Sequence, residues 1–310
     1  MLHYPRKMAQ NKGFRSLKTA VGFVFALLLG FAQAVPRACA ADGQIAVVAA
    51  ENFYGDIARQ IGGDRVNVVS IMSSPDQDPH LFETTPSTVR QLAIAEVVIL
   101  NGANYDPWMD KLLSAVPRPE RMMISAAQLT GRKPGENPHL WYDPATMPAV
   151  ATALADAFTK KDSAHASYYA ARLKVTLASL ARITQRVAQL KAKHAGITVT
   201  ATEPVFGLMT EALGLTMRNQ RFQLAMMNDT EPSARDVAAF ENDLKERKVK
   251  ALIYNSQVSE KLANRLRDLA GKARVPVVGV TETMPANVSF VDWVLGEMDA
   301  LDKALSGPNS

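Results

Sequence analysis

Two short stretches present a histidine from nearly the same setting: Asp78-Pro79-His80-Leu81-Phe82 and Asn137-Pro138-His139-Leu140-Trp141. In each, the proline fixes its own φ at about −65° and biases the residue before it towards extended geometry, so the imidazole is presented from a stiff loop. The chain has five histidines, four of them beyond the first forty residues. Two in matched Pro-His-Leu-aromatic settings point to one shared task, holding a divalent metal. Spacing alone does not require this, because the pair lies 59 residues apart and forms no local His-x-x-x-His pattern.

The elements that would position these loops read as a parallel sheet covered by helices, repeated twice. Short β-branched runs at 45–49, 66–71 and 97–100, with a weaker one at 122–124, alternate with helical stretches at 53–61, closed by Gly62-Gly63, and 87–94, following Pro86. Residues 162–195 contain no glycine or proline, and Leu173, Leu177, Leu180, Ile183, Val187 and Leu190 recur at helical spacing, which predicts one long amphipathic helix. At 1.5 Å per residue it would extend ~50 Å, the height of two lobes. Beyond Gly196 the alternation resumes, with strands at 197–201, 251–254 and 275–280, helices at 232–247, 259–270 and 288–305, and residues 222–226 as a possible fourth strand. The expected fold is α/β: a lobe over 41–161, a connecting helix over 162–195 and a second lobe over 196–310, each lobe with a mostly parallel sheet.

Ligands of open parallel sheets collect beyond the carboxyl ends of the strands. His80 falls in the loop after the second strand, His139 after the fourth, Glu203 just beyond 197–201 and Glu282 two residues past Val280. Two side chains from each lobe would meet around one ion. Imidazole suits zinc and its neighbours, and carboxylate oxygen extends the range to manganese. Four protein ligands describe a site that holds its ion, whereas catalytic zinc keeps a place for water. Other readings stay open: Glu203 as a charge near the start of the next helix, Glu282 as a solvated loop acid. Phe53, Tyr54, Trp141, Tyr142 and Phe206 flank the site as packing groups. His165 and His194, at the ends of the long helix, read as surface residues. The helix's Arg172, Lys174, Arg182, Arg186, Lys191 and Lys193 read as a solvated basic face, with a docking surface for an acidic partner as the alternative.

With these residues in hand, the chain resembles the zinc- and manganese-binding solute-binding proteins of bacterial ABC importers over essentially all of its length past residue 40. The resemblance is carried by Asp78-Pro79-His80 with Glu83 and Pro86-Ser87, by Asn101-Gly102 leading to Trp108, and by Asn137-Pro138-His139-Leu140-Trp141. It continues through the long helix, Glu203 before Phe206, Glu231-Pro232-Ser233, and Glu282 after the last strand. It implies two lobes joined by a rigid helix, one zinc or manganese ion as cargo, and delivery to an inner-membrane permease driven by a cytoplasmic ATPase. Carried over residue by residue, the ligands are His80, His139, Glu203 and Glu282. This chain departs from the family pattern where a third histidine often replaces Glu203, where Asp commonly replaces Glu282, and where Asn255-Ser256-Gln257 replaces a stretch that often begins with Glu. The loop Gly131-Arg132-Lys133-Pro134-Gly135-Glu136 also lacks the usual His- and Asp-rich run. The histidine and loop departures lean towards the manganese-type pattern.

Residues 1–40 read as a secretory signal peptide: Arg6, Lys7, Lys12, Arg15 and Lys18 precede a 13-residue apolar run, and Ala38-Cys39-Ala40 offers a small-x-small cut site. Ala32-Gln33-Ala34 is a second cut site. The run is too short to span a bilayer. Pro36 and Arg37 before Cys39 do not resemble a lipobox, so a lipid anchor is not expected there. Cleavage before Ala41 leaves no cysteine, hence no disulfide or thiolate site. The leader carries six of the 35 Lys and Arg and no acid, leaving 29 bases against 30 acids. The exported chain is near neutral and shows no nucleic-acid-binding motif. A periplasmic, monomeric carrier is expected, not an enzyme. Two competing readings are an exported zinc-dependent hydrolase, with Glu203 or Glu282 as base, and an adhesin-like surface protein whose metal is structural.

Overall fold

The computed structural model describes residues 43–74, 85–257 and 260–307. The leader, Cys39 and the first Pro-His segment with His80 lie outside the described residues.

The β-branched runs form two sheets of the same plan. β1 (Ile45–Glu51), β2 (Val66–Met72), β3 (Val97–Leu100) and β4 (Met122–Ser125) pair in the order β2-β1-β3-β4. β5 (Thr198–Ala201), β6 (Thr216–Arg218), β7 (Leu252–Asn255) and β8 (Val277–Val280) pair in the order β6-β5-β7-β8. Every pairing is parallel, so all strands of a sheet deliver their following loops to one edge. The expected fold class, two parallel sheets covered by helices and joined by a long helix, is the one observed. One element differs. Residues 222–226 lie inside α8 (Gln220–Met227), and the fourth strand of the second sheet is the shorter β6.

Helices cover both faces of each sheet. Around the first run α1 (Asn52–Gly62), α2 (Pro86–Ile94), α3 (Pro107–Ala115), α4 (Ala126–Thr130) and α5 (Thr146–Lys161); around the second, α7 (Gly207–Ala212), α8, α9 (Ala234–Lys245), α10 (Lys261–Ala273) and α11 (Phe290–Ser306). Their starts are written locally. Thr85 caps α2, with Pro86 in its first turn; Ser233 and Ser289 cap α9 and α11 by accepting from the N–H groups of Asp236 and Asp292. α2 and α3 close an outer core on Val48, Val98 and Leu100. α8, α9 and α10 do the same on Leu252. The inner faces merge into one continuous core that includes Val47, Ile99, Val199, Ile253 and Val278.

α6 (Ala166–His194) is the long helix, about 44 Å at 1.5 Å per residue. Its first turns are tied to α1 and the turn after it: Arg172 Nε donates to the Gln60 carbonyl at 2.7 Å and the Tyr168 hydroxyl to Asp64 at 2.7 Å. Its end is tied to α11 through Asp302, which accepts from His194 Nε2 at 2.7 Å, Lys193 at 2.9 Å and Arg186 at 2.9 Å. Fixed at both ends, α6 acts as a strut between the lobes. His194 is therefore not a surface residue; it is 4% exposed, and its ring is held by a partner 108 positions away. Part of the basic face is also paired internally, Arg182 with Asp292 and Arg186 with Asp299 and Asp302.

Burial alone would raise the Asp302 carboxyl, but the bonds from His194, Lys193, Arg186 and Ser306 outweigh it and hold it well below the usual range. A depressed carboxylate contributes stability above its unfolded-state pKa and loses it as pH falls through the folded value. Asp302→Asn should cost roughly 1.5–3 kcal/mol near pH 7 in urea unfolding, the range for hydrogen bonds to charged groups. The gap from wild type should close in acid; an equal gap at all pH values would contradict the ion-pair account.

Candidate metal centre

His139 is 1% exposed and stands at the N-terminal end of a 3-10 turn, Leu140–Tyr142. Its ring is oriented by Asn137. The Asn137 amide nitrogen donates to the Pro204 carbonyl at 2.7 Å, so its oxygen must face the histidine, where it accepts from the His139 backbone N–H at 3.1 Å and meets Nδ1 at 2.7 Å. A carboxamide oxygen only accepts, so Nδ1 carries a proton, and in the neutral ring Nε2 is the nitrogen with the lone pair. That lone pair faces Glu282 Oε2 at 3.6 Å. Metal-binding histidines are prepared in this way, with the far nitrogen donating to a fixed acceptor.

Glu282 (2% exposed) and Glu203 (7% exposed) come from the loops after β8 and β5. One amide nitrogen stands between them: Asn255 Nδ2, at the end of β7, donates to Glu282 Oε1 at 2.6 Å and approaches Glu203 Oε2 at 3.3 Å. Gln257 holds the main chain beneath, accepting from the N–H groups of Glu282 at 2.5 Å and Thr283 at 3.0 Å. From the first lobe, the Tyr105 hydroxyl reaches Glu282 Oε2 at 3.1 Å. Burial first, then the Glu282 charge, pushes that hydroxyl well above its ordinary value, so it remains a donor.

Tyr105 is delivered by a tight loop after β3, in which Gly102, Ala103 and Asn104 all have positive φ, at 76°, 52° and 64°. Only glycine adopts such angles without strain. The loop is held by Asp106, whose carboxylate accepts from the N–H groups of Asn101 at 2.7 Å and Gly102 at 2.8 Å. A Cβ on Gly102 would lie 2.8 Å from Ser125 Oγ and 2.9 Å from the Ala127 Cβ. Burial raises Asp106 to about 6 against the pull of those N–H bonds. Nearby, Glu51 at the end of β1 is 2% exposed, and among the described residues neither of its oxygens has a hydrogen-bond partner. Burial, then the Asp106 charge, pushes its carboxyl well above the usual carboxylate range.

The flanking aromatics all pack inside. Phe53 meets Trp141 at 4.7 Å, Tyr142 meets Phe206 at 4.7 Å and Trp293 at 5.5 Å, and His139 lies edge-on to Trp141 at 5.3 Å. Thus three of the four expected residues, His139, Glu203 and Glu282, converge in one buried polar region, and His80 lies outside the described residues. Among the described residues, no three His, Cys, Asp or Glu side chains are close enough together to hold an ion. Asn137 and Gln257 stand in stretches singled out from sequence, Asn137-Pro138-His139 and Asn255-Ser256-Gln257, without a positioning role assigned to them, and Tyr105 acts through loop geometry that leaves no spacing signal.

The family described as "ZnuA: Zinc-uptake complex component A periplasmic" matches residues 47–304. The chain belongs to that family. Among its relatives, "Manganese-binding lipoprotein MntA" of Bacillus subtilis is 26% identical over 72% of this chain and 75% of its own. "Zinc-binding protein TroA" of Treponema pallidum is 26% identical over 82% and 84%. "Metal ABC transporter substrate-binding lipoprotein FimA" of Streptococcus parasanguinis is 22% identical over 85% and 88%. The solved structure of periplasmic TroA superimposes with a TM-score of 0.72, covering 85% of this chain and 99% of its own at 22% identity. That likeness bears on the fold.

The lobes are also clamped beside the centre. The Asn52 side chain, at the start of α1, donates to the Met284 carbonyl at 2.7 Å and accepts from the Met284 N–H at 3.1 Å. Asn52→Ala would leave both buried backbone groups unpaired and should cost about 1–3 kcal/mol. Hydrogen exchange should show faster exchange of the Met284 amide, with exchange in the β3 strand unchanged; unaltered exchange at Met284 would refute the clamp.

Proposed function

We propose that this protein captures a divalent transition metal, zinc or manganese, between its two lobes and delivers it to an ABC permease in the inner membrane. The ligands in this reading are His80, His139, Glu203 and Glu282. The observation that carries it is the pair His139 Nε2 and Glu282 Oε2: two buried atoms, one from each lobe, face each other at 3.6 Å, and Asn137 engages the other ring nitrogen as donor, so in the neutral ring Nε2 presents its lone pair to the same point as the carboxylate. A cation between them is the occupant this chemistry fits. Two imidazoles and two carboxylates suit zinc and manganese alike, and zinc binds most such sites more tightly whatever the biological cargo.

Membership of the family supports a carrier rather than an enzyme, and relatives named as substrate-binding components of metal ABC transporters support the permease as partner. The near-neutral exported chain gives no reason to add a nucleic acid. Among the described residues no helix is long and apolar enough to cross a membrane. In this reading residues 1–40 are a cleaved export signal, 41–161 and 196–310 are the lobes, 162–195 is the strut between them, and the mature protein works in the periplasm. The relatives give no support to the expectation that Cys39 carries no lipid, since MntA and FimA are both named lipoproteins.

The paired substitution His80→Ala, His139→Ala should abolish stoichiometric binding of zinc and manganese in calorimetry while leaving the metal-free fold intact. Full binding by the double variant would sink the assignment. For the wild type, affinity should weaken as pH falls through the histidine range, because the ligands bind only when deprotonated.

A further inference from the structure

Behind the candidate centre lies a carboxyl group that the metal reading does not use. Glu297, on α11, meets three groups from three segments. Its Oε1 accepts from the Thr281 N–H at 3.0 Å and from Trp293 Nε1 at 2.9 Å. Its Oε2 lies 2.6 Å from the Tyr142 hydroxyl. The same hydroxyl lies 2.6 Å from the Thr281 carbonyl oxygen. A phenol has one proton to give, and a carbonyl has none. Both contacts can be hydrogen bonds only if Oε2 brings a proton of its own. Glu297 then donates to the Tyr142 oxygen, and Tyr142 donates to the Thr281 carbonyl. Oε1 already accepts two N–H bonds, which places the acid proton on Oε2.

We propose that Glu297 holds a proton at neutral pH and, through Tyr142, acts as a positioning residue that fixes the main chain before Glu282 against the His139 loop. Tyr142 is three residues past His139, and Thr281 immediately precedes Glu282, so this relay joins the segments that present a candidate ligand from each lobe. Burial supports the protonated form, pushing the carboxyl up to about 8 against the opposing pull of Tyr142, Thr281 and Trp293. Tyr142 is the titratable group facing it, itself pushed up by burial. Charges on the neighbouring elements are engaged elsewhere. Asp56 of α1 accepts from Gln60 and the Phe290 N–H; Arg182 and Arg186 of α6 pair with Asp292, Asp299 and Asp302; Glu282 meets Tyr105 and Asn255.

The consequence for cation binding rests on the function proposed above; the proton itself does not. Glutamine at this position mimics the acid, since its oxygen can accept the two N–H bonds and its amide can donate to Tyr142. Three measurements on the full chain separate the claims. In metal-free protein at pH 7, infrared difference spectra of wild type against Glu297→Gln should show a protonated carboxyl stretch, lost in wild type at pH 9. An acid raised in the folded state adds stability fully present below its unfolded pKa and lost as pH rises through about 8. Wild type should therefore lose stability relative to E297Q over that window. With manganese ion alone as probe, E297Q should bind at pH 7 within about threefold of wild type, and Glu297→Ala roughly 10–100-fold more weakly. Between pH 7 and 9 wild type should weaken, opposite to the strengthening expected from ligand deprotonation, while E297Q should not. Absence of the carboxyl band, or E297Q binding as poorly as E297A, overturns the proposal. If no form binds manganese but the band is present, the cation reading fails and the proton assignment stands.

Discussion

Burying two acidic side chains in one region is the constraint that organises this molecule. Glu203 and Glu282 share a largely water-free region, where like charges repel far more strongly than at a surface and an uncompensated carboxylate is costly. The Asn255 amide between them, the Tyr105 hydroxyl from the opposite lobe and the Gln257 carbonyl beneath the main chain are the described groups that make the arrangement tolerable. Each of these comes from the carboxyl edge of a sheet, and so the two sheets must face each other at that edge. The fold is what lets two donors, Asn255 from one lobe and Tyr105 from the other, meet on two acids.

That requirement explains why the lobes are not joined by a supple linker. If α6 bent freely, the 3.6 Å approach of His139 to Glu282 would be averaged away. Instead α6 is fastened to α1 at one end and to α11 at the other, Asn52 grips Met284, and the inner faces share one core in which Phe53, Trp141, Tyr142, Phe206 and Trp293 interlock. Aromatic contacts of this size bury large area at little conformational cost. Under the proposed function, such a frame leaves selection to local side-chain chemistry rather than to a large closure.

Much of this was legible in the sequence because it is written in local periodicity. The β-branched runs at 45–49 and 97–100, and the spacing of Leu180, Ile183 and Leu190, are the core faces of β1, β3 and α6. The run 222–226 was not decidable that way: five mostly apolar residues suit a buried strand or one helical turn equally, and Phe222 and Met226 are buried at helical i,i+4 spacing. His194 looked like a terminal surface residue because nothing near it in sequence announces Asp302. Within the candidate centre, the side chains with distinctive types and motifs were visible, while the groups that orient them were not. Tyr105 depends on two non-glycine residues at positive φ, a geometry no composition rule anticipates.

The acids around the junction divide into two kinds. Glu51 has no donor for either oxygen among the described residues, and burial, then the Asp106 charge, pushes its carboxyl well up; Asp106, with two backbone N–H groups, is raised only to about 6. The difference follows from donors rather than from depth, since both side chains are almost fully buried. N–H donors favour the ionised carboxylate, and a strand end that offers none leaves burial unopposed. Negative charge is therefore favoured where the chain has built partners for it, at Asp106, and disfavoured at Glu51 beside it. In the proposed function this matters, because an uncompensated extra charge on the first lobe would compete with Glu282 for any cation that enters.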